Sequence, residues 1–188
     1  MSVYNGGDTI HQAIESILTQ SFTDFEFLIV DDSSTDRSRD AVLSYADPRV
    51  RLLRNERNIG LTRSLNRGLQ EARGSLIARM DADDVCFRGR LEAQVHALES
   101  TGADVCFCAC QFKDEDTGRE WVWSPKAWSL VRWRGLVENG YGIHPAAMFK
   151  RDSILRIGGY DSDVRYAQDY DLWSRCDRQG LRFAYVKE

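Results

Sequence analysis

Hydrophobic residues along the chain switch between two periods. Ile10, Ala13, Ile14, Ile17 and Leu18 recur at helical spacing, with Asp8 or Thr9 placed to cap the helix. Residues 25–30 form an apolar run broken only by Glu26, which predicts a buried strand. That run enters Asp31-Asp32-Ser33-Ser34-Thr35-Asp36, a strand end followed by helix-capping side chains. A helix is predicted over 36–45, with Ala41, Val42 and Tyr45 inward, and a short strand over 50–53. The polar loop 55–60 leads to a helix over 61–72 that turns Leu65, Leu69 and Ala72 to one face. Residues 76–80 predict a strand, 91–98 a helix with Leu91, Val95 and Leu98 inward, and 103–112 a strand.

Strands alternating with helices in this order predict an α/β domain with a mainly parallel sheet. The second half is less regular. A charged turn covers 113–119, a loop 140–145, a short strand 146–149, a short helix 153–157, a turn 158–161, a helix from about 166 to 178 and a last strand 181–186. Trp121, Trp123, Trp128 and Trp133 crowd one span and predict a core beneath a long crossover, with one or two left to stack on a sugar ring. There is no internal repeat, low-complexity tract or linker, so the 188 residues make one domain.

Composition narrows the function classes. With 43% hydrophobic and 29% charged residues the chain is an ordinary globular protein, and its net charge of −4 argues against nucleic acid as partner. No apolar run reaches the ~20 residues of a membrane span, and no secretory signal opens the chain. Five cysteines in no disulfide-framework spacing point to a reducing cytosol. Cys106, Cys108 and Cys110 would share one strand face, but their spacing is not a zinc pattern and no His is near, so they read as small buried hydrophobes.

The chemistry concentrates in Arg79-Met80-Asp81-Ala82-Asp83-Asp84, at the end of the 76–80 strand. Carboxylates packed this closely repel one another, and a divalent cation, Mg²⁺ or Mn²⁺, offsets the repulsion while gathering phosphate oxygens. The plainer reading is an acidic, solvated turn. Asp31-Asp32 lies at a second carboxyl strand end, where α/β sheets bind ligands, and that coincidence favours a shared site.

Together these stretches resemble the family 2 glycosyltransferases. The motifs are Val3-Tyr4-Asn5-Gly6, Val30-Asp31-Asp32-Ser33-Ser34-Thr35-Asp36, Asn58-Ile59-Gly60-Leu61, Met80-Asp81-Ala82-Asp83-Asp84, His144-Pro145-Ala146, Gly158-Gly159-Tyr160-Asp161 and Gln168-Asp169-Tyr170-Asp171-Leu172-Trp173. The resemblance covers almost the whole chain. It implies a GT-A (Rossmann-like) three-layer α/β fold with a mainly parallel mixed sheet, a nucleotide-sugar donor, usually UDP-linked, and inversion at the anomeric carbon. By the same resemblance Tyr4 lies against the nucleobase, Asp32 accepts a hydrogen bond from it, and Asn58 and Gly60 line the nucleotide loop. Asp81 is the first carboxylate of the DxD motif, near the ribose. Asp83, with Asp84 in support, is on the metal. Asp169 is the base, at a predicted helix start where negative charge is favoured, and Gln168 stands on the acceptor side. His144 either lines the acceptor side or satisfies a loop carbonyl, the commoner role of a lone His before Pro. Residues 1–112 then form a nucleotide-binding half and 113–188 an acceptor-side half. The implied partners are a UDP-sugar and a carbohydrate or lipid-linked acceptor of envelope polysaccharide synthesis, in the cytoplasm or at the inner face of a membrane.

The chain departs from the family pattern in three places. Only Met1-Ser2 precede Val3, where relatives carry most of a first strand; Gln168 stands where Glu is common; and the chain stops at Glu188, where many relatives continue. Two rival readings stand beside this one: a nucleotidyltransferase, for which Gly6-Gly7 is too little phosphate loop, and a non-catalytic nucleotide-binding module.

Overall fold

The computed structural model describes residues 1–7, 9–114, 116–124, 142–164 and 166–187. Its first sheet is parallel, with strand order β1 (Ser2–Val3), β2 (Phe27–Asp31), β3 (Val50–Arg54). Helices α1 (Ile10–Leu18), α2 (Ser38–Leu43) and α3 (Leu61–Glu71) connect and cover these strands. The second sheet runs β4 (Leu76–Ala78), β8 (Ala147–Lys150), β5 (Val105–Cys108), β9 (Phe183–Val186). In it β8 is antiparallel to β4 and β5, and β9 is parallel to β5. A hairpin of β6 (Cys110–Lys113) and β7 (Glu120–Trp123) stands apart.

Strand alternation distributes the core over two faces. On one, Phe27 and Ile29 pack with Ile10, Ile14, Ala41 and Val42 of α1 and α2. On the same side, Cys106 and Met148 meet Leu91 and Leu98 of α4 (Arg90–Thr101). On the other, Val105, Phe107 and Phe149 pack with Leu69 of α3, Ile154 of α5 (Arg151–Arg156), and Leu172, Trp173 and Cys176 of α6 (Gln168–Arg178). This gives three layers, helix–sheet–helix. A cavity of about 560 Å³ lies between the two sheets, lined by Leu28 and Val30 of β2, Leu65 of α3, and Ile77, Ala78 and Arg79 of the second sheet and its end, among others.

Several elements differ from the pattern-based expectation. The strand expected over 103–112 is two: β5 stays between β8 and β9, and the chain leaves the sheet after Cys108 to pair β6 with β7. Helix α2 begins only at Ser38, because Asp36 turns back to accept hydrogen bonds from Ser38 N and Gly7 N. Residues 144–146, expected partly as loop, make a 3₁₀ turn before β8. Trp121 lies on the hairpin, 47% exposed and stacked on Phe112, rather than in a core. Trp128 and Trp133, the start of the 140–145 loop, and Asp8 as helix cap fall outside the described residues. Cys106 and Cys108 are buried as small hydrophobes, while Cys110 is half-buried on β6.

Candidate functional site

The carboxyl ends of β1 to β4 deliver four loops to one rim. The first, Tyr4–Gly7, is stitched to the loop after β2. Asn5 N donates to Ser34 Oγ (3.0 Å), Gly6 N to Ser38 Oγ (2.7 Å), and Thr35 N donates back to Asn5 Oδ1 (2.9 Å). It is also tied to the acidic loop after β4, because Thr9 Oγ1 lies 2.8 Å from Gly6 O and 3.1 Å from Ala82 O. Gly6 allows that approach: a Cβ there would lie 2.8 Å from Val3 Cγ2 and 3.6 Å from the Ala82 side chain. Tyr4 stands open at this rim, 52% exposed.

Asp32 is turned inward, not toward solvent. Its Oδ1 accepts from Asn55 Nδ2 (2.7 Å) and Ile59 N (2.9 Å), and its Oδ2 from Gly60 N (2.8 Å). Two consecutive backbone donors thus capture the carboxylate, which shapes the 55–60 loop from beneath. Gly60, at φ +88°, takes a conformation that suits glycine, and Asn58 is exposed on the same loop. Neighbouring Asp31 is also buried; its Oδ1 accepts from Ser34 N (2.8 Å), while Oδ2 has no hydrogen bond among the described residues and lies 3.7 Å from Arg54 Nε.

The acidic cluster converges. Asp81, Asp83 and Asp84 each offer a carboxylate oxygen, and these lie within 4.8 Å of one another. Asp84 Oδ2 is buried without a hydrogen-bond partner among the described residues. Burial, followed by the charges of Asp81 and Asp83, raises the Asp84 pKa, and Arg79 and Arg90 work against that rise. An orphaned carboxylate oxygen beside two further carboxylates is the hard, all-oxygen donor set that Mg²⁺ and Mn²⁺ take. These residues fit such a cation. Two buried arginines back them. Arg79 forms an ion pair through Nη1 with Asp81 Oδ2. Arg90 Nη2 donates to Arg79 O (2.9 Å) and Ala147 O (3.3 Å), and its Nε to Gln94 Oε1 (2.9 Å). Arg88, which flanks the cluster in sequence, is exposed.

On the opposite side, Asp169 is the second residue of α6 and half-buried, next to Gln168, after Ala167 at φ +55°. Helix α6 is anchored from below. Arg175 donates to Asp171 Oδ2 (2.8 Å), Ile157 O (3.0 Å) and Gly159 O (2.7 Å). The same turn is gripped by Asn66 of α3, which exchanges hydrogen bonds with the backbone of Tyr160 (2.7 and 2.9 Å). Tyr160 OH bonds His144 Nε2 at 2.8 Å, both groups being buried. His144 is therefore engaged inside the fold rather than open to an acceptor. Burial raises the Tyr160 pKa, with the charges of Asp169 and Asp81 adding to the rise and Arg79 opposing it.

Sequence reasoning brought Tyr4, Asn58, Gly60 and the three carboxylates to this rim, and overlooked Arg90, Gln94, Asn66 and Tyr160 as its supports. The available signal was polar: Arg90 and Gln94 sit at i, i+4 within an apolar helix face next to an acidic loop.

The model of "Glycosyl transferase family 2" matches residues 1–158. A putative glycosyltransferase of Bacillus subtilis, EpsE, is 33% identical, with 100% of this chain aligned to 69% of that protein. Among solved structures, S. aureus TarS 1–349 in complex with UDP superposes with a TM-score of 0.83 at 18% identity, covering 100% of this chain and 56% of that one. A mannosyltransferase from Pyrobaculum calidifontis, in complex with GDP-Man and Mn²⁺, gives 0.76 at 22% identity, covering 100% and 53%. The chain thus spans about two thirds of that relative (69%) and just over half of the solved chains (56% and 53%).

Proposed function

The chain belongs to glycosyl transferase family 2 and has the GT-A fold of a transferase enzyme, and from that premise we propose that it moves a sugar from a UDP-linked donor to an acceptor hydroxyl with inversion. The observation that carries this is the convergence of Asp81, Asp83 and Asp84 at the end of β4, with one buried oxygen of Asp84 unsatisfied. The UDP complex of TarS supports the donor, and the GDP-Man and Mn²⁺ complex of the mannosyltransferase supports the metal.

Each residue has a role under this reading. Tyr4, exposed at the rim, lies against the base. The loop held by Asp32, with Asn58 and Gly60, forms the wall beside the nucleotide, and Asp81 meets the ribose. Asp83 and Asp84 would hold Mg²⁺ or Mn²⁺, which when bound supplies positive charge to the diphosphate as it leaves. Asp169 takes the proton of the acceptor hydroxyl while that oxygen bonds to the anomeric carbon. The electron pair of the breaking C–O bond goes to the departing diphosphate. Attack from the face opposite the leaving group inverts the centre. Gln168 stands beside the acceptor, and His144 acts only by packing behind it.

The whole chain serves as one catalytic domain, with 1–112 binding the nucleotide and 113–188 facing a carbohydrate or lipid-linked acceptor. No helix among the described residues is long and apolar enough to cross a membrane. We place its action in the cytoplasm or at the inner membrane face, on an acceptor of envelope polysaccharide synthesis. Titration calorimetry with UDP and Mn²⁺ tests the donor site: Asp83→Ala is expected to abolish the metal-dependent part of binding. Asp169→Asn should keep that binding and lose transfer. Undiminished UDP and Mn²⁺ affinity in the first variant, or turnover in the second, overturns the assignment.

A further inference from the structure

Arg79 is an unusual neighbour for a cation site. It is only 5% exposed, its Nη1 holds Asp81 Oδ2, and its Nε has no hydrogen-bond partner among the described residues. Its backbone is fixed from both sides, N donating to Ala147 O (2.8 Å) and O accepting from Arg90 Nη2 (2.9 Å). The guanidinium is held inside the fold beside Asp81. Of the three clustered carboxylates, Asp81 alone is engaged by it; Asp83 is exposed, and the buried Oδ2 of Asp84 is vacant.

We infer that Arg79 is a positioning residue that divides the acidic cluster, reserving Asp81 for the nucleotide and leaving only Asp83 and Asp84 to the cation. This rests on the donor reading above. The physical reason is competition. A carboxylate already paired with a fixed, buried cation is a poor ligand for a second cation, which it would have to share against charge repulsion. Its remaining oxygen is still an acceptor for a neutral hydroxyl, which carries no such repulsion. With Arg79 gone, Asp81 becomes a third metal ligand and loses its fixed orientation.

The sign of the effects tests this. Mn²⁺ binding to the protein alone is read by electron paramagnetic resonance of the free ion, and UDP binding in the presence of Mn²⁺ by calorimetry. Asp81→Asn leaves the Arg79 charge unpaired and is expected to lower Mn²⁺ affinity by no more than about fivefold, the scale of that one charge, while weakening UDP by about tenfold. Arg79→Met is expected to raise Mn²⁺ affinity about fivefold, the scale of one removed charge at a half-buried site, and to weaken UDP. The double variant should return to wild-type Mn²⁺ affinity, because the ligand that Arg79→Met released is no longer a carboxylate. A folded Arg79→Met protein with unchanged or lower Mn²⁺ affinity overturns the inference. If that variant does not fold, the double variant decides, because it removes both charges of the pair together, and a loss of Mn²⁺ affinity of about tenfold in it overturns the inference. Wild-type protein that takes up neither Mn²⁺ nor UDP overturns the donor reading as well, whereas wild-type binding with indifferent variants removes only the role of Arg79.

Discussion

At the scale of the residue, His144 shows how far burial can move a side chain from its solution behaviour. Desolvation, then the positive charge of Arg79, pushes its pKa from 6.5 down to about 2. In the unfolded chain the ring titrates near its usual value. Between those two values the unfolded state binds a proton that the folded state refuses, so stability is full above about pH 6.5 and falls as pH drops. The slope from this one group is up to about 1.4 kcal/mol per pH unit. Urea unfolding at pH 7 and pH 5 should show the wild type losing stability more steeply than His144→Gln, by the equivalent of about one proton. Equal slopes in the two proteins would show that the ring is solvated in the folded state.

At the scale of the element, α4 illustrates a helix whose inward face is not wholly apolar. Gln94 is fully buried and joins three partners. Its Nε2 donates to Cys106 O and Ala146 O, each at 2.9 Å, and its Oε1 accepts from Arg90 Nε. It thereby fixes α4 to the second sheet and holds Arg90 behind the acidic loop. Gln94→Leu preserves volume but removes both hydrogen bonds that Gln94 donates and leaves the Arg90 Nε N–H without its acceptor, and is expected to cost about 2–3 kcal/mol in urea unfolding. A cost below about 0.5 kcal/mol would mean that these groups find other partners. The helical period exposed Leu91 and Leu98 as inward, and it was blind to Gln94, because periodicity weighs hydrophobicity and not hydrogen-bond satisfaction.

At the scale of the whole molecule, the rim joins loops from the first sheet to a loop from the second, so a ligand there bridges both. A nucleotide and cation that bind only the folded protein should raise its thermal midpoint. At about 100 times the dissociation constant the gain is about 2.7 kcal/mol, a rise of roughly 5–11 °C for a chain of this length. UDP with Mn²⁺ is expected to give that rise in a thermal-shift assay, and UDP with EDTA a clearly smaller one. A midpoint indifferent to Mn²⁺ would count against a cation in the site.

The sequence by itself determined the alternation of strands and helices, the α/β class and the membership of the acidic cluster. Each depends on spacing within a few residues: a period of two or 3.6, a turn residue, three carboxylates in four positions. Only the tertiary structure decided that Asp32 faces inward, that His144 is tied to Tyr160, that the 103–112 run splits between a sheet and a hairpin, and that Arg90 rather than Arg88 stands behind the carboxylates. Those outcomes depend on partners far away in the chain, such as Gly60 for Asp32 and Val186 for the end of β5. A hydrogen bond between distant residues leaves no periodic trace, whereas burial on one face of an element does.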